Sequence, residues 1–155
     1  MKIAIIVHSH TGNTYSVAEN LRKRLIQAGH SVNIEKVIAI KDDQTEVAKV
    51  QLQTNPDLST YDGIIFGATV RGFSLSVVMT AYLSQVLSLK GKKIICYVTQ
   101  FFPYAWMGGK RAIAQMSEIC ESKGAHISGM GIINWSHKQR KNRIDALTED
   151  VNRIF

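Results

Sequence analysis

Residues 3–14 read IAIIVHSHTGNT: five apolar positions, four of them β-branched, and then seven small or polar ones. Residues 3–7 have the composition of a strand buried on both faces. Behind the polar run a helical period begins, with Val17, Leu21, Leu25 and Ala28 on one side and Gly29 where a C-terminal cap belongs. A loop that leaves a buried strand and feeds a helix start offers unpaired backbone N–H groups and the positive end of the helix dipole, which together attract an anion. Ser9, Thr11 and Thr14 add hydroxyls, Asn13 an amide, and Gly12 lets the backbone come close. The loop holds no Lys or Arg. Neutral donors suit a phosphate monoester buried under a cofactor better than a magnesium-bound triphosphate.

Other phosphate motifs are missing. GxxxxGK[ST] is absent, since Gly109-Lys110 runs on into Arg111, and no GxGxxG follows the first strand. The plainer alternative is a polar connector with a helix cap, but loops at this place usually carry function.

The rest of the chain repeats the strand–helix alternation. A short second strand is expected at 31–36, alternating as an edge strand does. Residues 41–60 are poorly patterned; a helix over 43–53 and a turn at 55–57 (NPD) are the expectation. A buried strand at 63–70 (GIIFGATV) leads through RGFSLS to a helix carrying Val78, Tyr82, Val86 and Leu89. A fourth strand at 92–99 (KKIICYVT) is followed by the aromatic loop QFFPYAWMGG, 100–109, and by a helix marked by Ala112, Ile113, Met116 and Cys120 that Gly124 closes. A weaker fifth strand at 127–133 is interrupted by Gly129 and Gly131. Ser136 is placed to cap a last helix bearing Ile144, Leu147, Val151 and Ile154. Five strands alternating with helices imply a parallel sheet covered on both faces, in one domain over 1–155. Right-handed crossovers favour the doubly wound order 2-1-3-4-5. In that order the loops at 8–14, 68–73 and 99–109 share one rim, beyond the carboxyl ends of the strands.

Composition is ordinary for a globular protein, with 45% hydrophobic residues, and 19 Lys+Arg against 12 Asp+Glu give +7. That balance points to an acidic partner or anionic ligand. The short apolar start lacks the length of a secretory signal, and no stretch is long enough to span a bilayer, so a cytoplasmic protein is expected. Cys96 and Cys120 lack CxxC spacing and are read as buried thiols.

The sequence S-x-T-G-N-T directly after the first strand resembles the FMN-phosphate loop of flavodoxins and flavodoxin-like oxidoreductases, and the resemblance extends over the whole chain. It implies a flavodoxin-like α/β fold. It also implies that Ser9, His10, Thr11, Gly12, Asn13 and Thr14 hold the phosphate of FMN. By position, Ala68, Thr69, Val70, Arg71, Gly72 and Phe73, with Thr99, Gln100, Phe101, Phe102 and Tyr104, hold its ring. The chain departs from flavodoxins in its positive charge and in a strand-four loop that is apolar and ends in Lys110-Arg111. Both departures bring it nearer to small flavodoxin-fold proteins that bind a second planar or nucleotide-like substrate. Three functions stay open: an electron carrier between a reductase or NAD(P)H and an acceptor, an NAD(P)H-dependent FMN quinone reductase, and a non-redox binding module. An acidic redox partner is expected to dock on HKQRKNR (137–143); no nucleic-acid or membrane partner is expected.

Individual residues each have a functional and a bland reading. Arg71 either stands at the flavin edge, where a cation favours the reduced anionic cofactor, or binds the 2'-phosphate of NADPH, or lies in solvent. Gly72 allows a peptide flip. Phe101, Phe102, Tyr104 and Trp106 stack on a planar ligand or form a small core for their own loop. His8 and His10 have the alternation of metal ligands, but no third ligand has clear spacing, and a satisfied or ring-edge histidine is the commoner reading. Residues 72–76, GFSLS, nearly spell a nucleophile elbow, with the second glycine missing and no Asp and His following at strand ends.

Overall fold

The computed structural model describes residues 1–155. Six strands and four α-helices follow in order: β1 (Lys2–Val7), α1 (Asn13–Gln27), β2 (Ser31–Lys36), β3 (Gly63–Arg71), β4 (Ser74–Leu75), α2 (Val77–Gln85), β5 (Lys93–Gln100), α3 (Gly109–Ser122), β6 (His126–Asn134) and α4 (Arg140–Ile154). The sheet runs β2-β1-β3-β5-β6, all parallel, and two-residue β4 folds back antiparallel on β3. Counting the five long strands alone, this is the expected 2-1-3-4-5 order.

Alternation along each central strand divides the core. Ile3, Ile5, Val7, Ile65, Ile95 and Tyr97 face α1 and α4, meeting Val17, Leu21, Leu25, Leu147 and Val151. Ala4, Ile6, Ile64, Phe66, Cys96 and Val98 face α2 and α3, meeting Val78, Met79, Tyr82, Ile113 and Met116. Each fully buried Leu, Ile or Phe contributes about 1.5–3 kcal/mol relative to exposure, so the two layers hold the strand ends rigidly in place. Gly67 and Tyr97 are register partners, and a Cβ on Gly67 would land inside the Tyr97 ring. The missing side chain lets Tyr97 lie beneath α1, where its hydroxyl donates to Thr14 O at 2.7 Å.

Several local expectations are corrected. Residues 43–53 form no helix: only a 3-10 turn at Val47–Lys49 is present, because the segment folds back on itself. Ile40 N–H donates to Gln51 O, Gln53 N–H to Ile38 O, and Ala39 bridges Leu52. The helix after RGFSLS stops at Gln85, so Val86 and Leu89 lie outside it; Leu89 is buried from a loop, its N–H tied to Lys123 O at the end of α3. Ser136 does not cap the last helix. Trp135 and Ser136 instead continue the sheet pairing, donating to Gln100 O and Phe101 O, and α4 begins at Arg140. The glycines of β6 interrupt no strand: side chains at 129 and 131 would collide with Ile154 and Leu147, so their absence lets α4 pack close.

Candidate functional site

At the end of β1 the chain turns through Gly12, whose φ of 94° lies in the left-handed region that glycine tolerates best. Gly12 is also the N-cap of α1, and no side chain of the cap satisfies the first turn, which carries no acidic residue. The backbone N–H groups of Gly12 and Tyr15 converge on Ser9 Oγ at 3.1 and 3.3 Å. The N–H groups of Thr11, Asn13 and Thr14 have no protein partner. Three free donors at a helix start, beside a serine hydroxyl that already takes two neighbouring N–H groups, have the makings of an anion cradle.

Thr14 is fully buried, and its hydroxyl turns inward rather than towards the loop, bonding Thr99 Oγ1 at 2.7 Å and Thr69 Oγ1 at 3.3 Å. Three hydroxyls from α1, β3 and β5 thus lock the helix start to the two central strands. Tyr97 adds a fourth tie to Thr14 from below.

Beside this cradle lies a cluster that sequence patterning missed. Ser76 Oγ accepts the Met79 N–H at 3.2 Å as the N-cap of α2, which leaves its own hydrogen for His8 Nδ1 at 2.9 Å. His8 Nε2 then carries the ring proton and donates to Asp42 Oδ1 at 2.6 Å. Burial pushes His8 below its ordinary value of 6.5, outweighing the upward pull of Asp42, so the ring is neutral at pH 7. His10 Nδ1 stands 2.9 Å from Asp42 Oδ2, and Arg71 Nη1 donates to Asp42 O at 2.7 Å and lies 3.5 Å from Oδ2. Burial favours the protonated carboxyl of Asp42, but bonds from His8 and His10 and the Arg71 charge hold it below its ordinary value. Both histidines are satisfied by a carboxylate of the 37–54 excursion, the commoner of the two readings that the sequence offered. Arg71 is not solvated freely but is ion-paired.

An acid, a histidine and a serine at these distances resemble a nucleophilic triad, although the serine is Ser76 and not Ser74 at the centre of GFSLS, and Asp42 and His8 precede that segment. The geometry denies that chemistry. Ser76 is fully buried, and the helix N–H occupies its oxygen, so no substrate carbonyl can reach it. The cluster positions groups rather than attacking anything.

Across the rim, Gly72 and Phe73 form the two-residue turn of the β3–β4 hairpin, with φ of 57° and 59°, the sign pattern of a type I′ turn. An aromatic residue held there costs about 1 kcal/mol or more, partly offset by the Phe73 ring stacking on Phe102 at 5.7 Å and 6°. The facing loop, 101–108, is anchored by two buried amides. Gln100 Nε2 donates to Tyr104 O at 2.7 Å, and Asn134 Nδ2 donates to Phe102 O at 3.1 Å. Gln100 Oε1 is buried without a partner, and its residue lines a small cavity of about 110 Å³ with Val70, Gly72, Phe73, Phe101, Phe102 and Met107. Ala68 is buried behind that wall, and Val70 and Thr69 are half-buried. Thus the three loops meet on one rim as expected. Asp42, Ser76 and Asn134 join them without having been expected there.

No protein-family model and no curated protein matches the chain. Solved structures do resemble it in shape. Flavodoxin 2 of Bacillus cereus superposes with a TM-score of 0.71 at 19% identity, covering 100% of both chains. A flavodoxin of Streptococcus pneumoniae TIGR4 gives 0.69 at 16%, again over 100% of both. A flavoprotein of Lactobacillus acidophilus NCFM, solved in complex with FMN, gives 0.64 at 17%, covering 84% of this chain and 92% of its own. At these identities the likeness establishes the fold, which is flavodoxin-like. No helix is long and apolar enough to cross a membrane.

Proposed function

We propose that this chain is a cytoplasmic FMN-binding redox protein that passes electrons between a reductase or NAD(P)H and an acceptor. The observation that carries the proposal is the set of free N–H groups at Thr11, Asn13 and Thr14, beside Gly12 and within the rim that also holds the unpartnered Gln100 oxygen. An FMN phosphate fits the first, and a ring N–H, donating to the Gln100 oxygen, fits the second. When bound, FMN supplies the electron-transfer chemistry, and the protein supplies orientation and electrostatics.

The residues divide the work. The free N–H groups of Thr11, Asn13 and Thr14, with the Ser9 hydroxyl, bind the phosphate. Thr69, Thr99 and Tyr97 keep the helix start at a fixed height above the sheet. The hairpin tip at 72–73 and the loop at 101–104 border the ring site and keep water from it. Arg71 brings a cation to this edge whose field Asp42 partly cancels, so it biases the cofactor less than a free arginine would.

The test is direct. Protein purified from a flavin-replete host should be yellow and release FMN on heating; release of FAD, or no flavin after reconstitution, removes the proposal. Anaerobic titration with NADPH then assigns the electron source. Fast stoichiometric bleaching makes the chain an NAD(P)H-dependent reductase, and slow or absent bleaching makes it a carrier that a reductase must load.

A further inference from the structure

Five aromatic side chains stand out from the rim: Phe73 is 53% exposed, Phe101 68%, Phe102 43%, Tyr104 57% and Trp106 73%. They are ordered rather than loose. Phe73 stacks on Phe102, Phe101 meets Phe102 edge-on, and Tyr104 stacks on Trp106 at 6.2 Å and 7°. Their backbone is held from beneath by Gln100 and Asn134.

Cations border the patch on two sides. The α3 start is joined to the loop where Lys110 N–H donates to Ala105 O, which brings Lys110 and Arg111 to one flank. On the other flank, Trp135 and Ser136 donate to Gln100 O and Phe101 O, and Lys138, Arg140 and Lys141 follow. Arg140 lies over the Trp135 ring at 4.5 Å and bonds its carbonyl. None of these five cations is ion-paired. No Asp or Glu occurs in 63–117 or in 122–144, so the sequence on both flanks is free of carboxylates.

We propose that this face docks an acidic protein, with the stacked aromatics as the buried centre and the five cations as the surrounding rim. Pre-stacked rings lose little freedom on binding, and aromatic residues with Arg are the side chains that dominate such centres. The charge belt selects the partner's sign and speeds encounter. A second copy of this chain would set five cations against five. That the docked protein exchanges electrons here rests on the FMN proposal; the docking itself does not.

The test uses the soluble domain of acidic cytochrome b5 as probe and basic cytochrome c as the charge control, each titrated into the ¹⁵N-labelled protein as purified. Amides of 101–106, 110–111 and 135–141 should shift saturably with cytochrome b5 and not with cytochrome c. Raising NaCl from about 50 to 300 mM should weaken binding several-fold, as screening of opposed charges requires. The double variant Lys110→Glu with Lys141→Glu should bind about tenfold or more weakly with an unchanged thermal melt. No shifts, shifts on another face, equal response to cytochrome c, or salt-independent binding would each overturn the proposal. So would the same amides responding to phosphatidylserine vesicles or to NADPH instead of cytochrome b5, or a concentration-dependent dimer that Lys110→Glu does not affect. Flavin content is measured on the same sample. A colourless protein that binds cytochrome b5 at these amides removes the FMN proposal and keeps this one; a yellow protein that ignores the probe does the reverse.

Discussion

On the β1 side of the rim, polar side chains turn inward and bond one another: His8 to Asp42 and Ser76, Thr14 to Thr69 and Thr99, Tyr97 to the Thr14 carbonyl. On the β5 side the arrangement is reversed, because Gln100 and Asn134 hold backbone carbonyls and the aromatic side chains face out. The first side spends most of its polar side chains on rigidity and leaves backbone N–H groups and the Ser9 hydroxyl for a ligand. The second leaves its side chains free for contact and takes its order from the amides below. A site that must fix a small anion and also meet a large partner needs both constructions, since fixing demands satisfied buried bonds and meeting demands exposed area.

Substitutions on the inward side should therefore cost far more than those on the outward side. Gly67→Ala should be the most damaging, because its methyl collides with the Tyr97 ring and forces the hydroxyl off Thr14. Overpacking costs about 1–3 kcal/mol and a broken buried bond about as much again. Urea unfolding should register a loss of roughly 3 kcal/mol; a change below about 1 would mean that the Tyr97 layer is soft.

Asp42→Ala comes next. It leaves the buried His8 ring donor unpaired and releases Arg71 and His10, for an expected loss of about 1–3 kcal/mol at pH 7. The same cluster makes stability depend on pH. His8 is depressed, so the unfolded chain takes up its proton first, and stability falls as pH drops through 6.5 towards the lower folded value. Asp42 is depressed too, so its contribution is present above 3.8 and is lost as pH falls through its folded value. Both signs agree: acid weakens this side. Urea melts between pH 7.5 and 5 that stay flat would contradict a buried neutral His8.

A smaller effect is expected at Asn134→Ala, which removes the anchor of Phe102 O and the Arg143 partner on its other end. About 1–2 kcal/mol should go, with faster amide exchange confined to 101–106. Trp106→Ala should be the mildest, within about 0.5 kcal/mol of wild type, because the side chain is mostly in solvent. A larger loss there would mean that the aromatic loop is a core and not a contact surface.

The order of the five long strands and the rim came from the handedness of the crossovers. The alternation of buried runs and helical periods was enough to place the strands themselves, because it depends on residues near one another in the chain. The loop at 9–14 was legible for the same reason: a strand end, a glycine and a helix start are local events. What the tertiary structure alone decided are the bonds between distant residues. Asp42 lies 34 positions from His8, and Ser76 lies 68. Nothing in their neighbours' pattern announces the meeting. The 43–53 segment has helical residues but bonds its backbone to 38–40. Ser136 has the chemistry of a cap but lends its N–H to Phe101. In each case a modest local preference, worth a few tenths to about 1 kcal/mol, yielded to backbone bonds and burial that exist only once the sheet has formed.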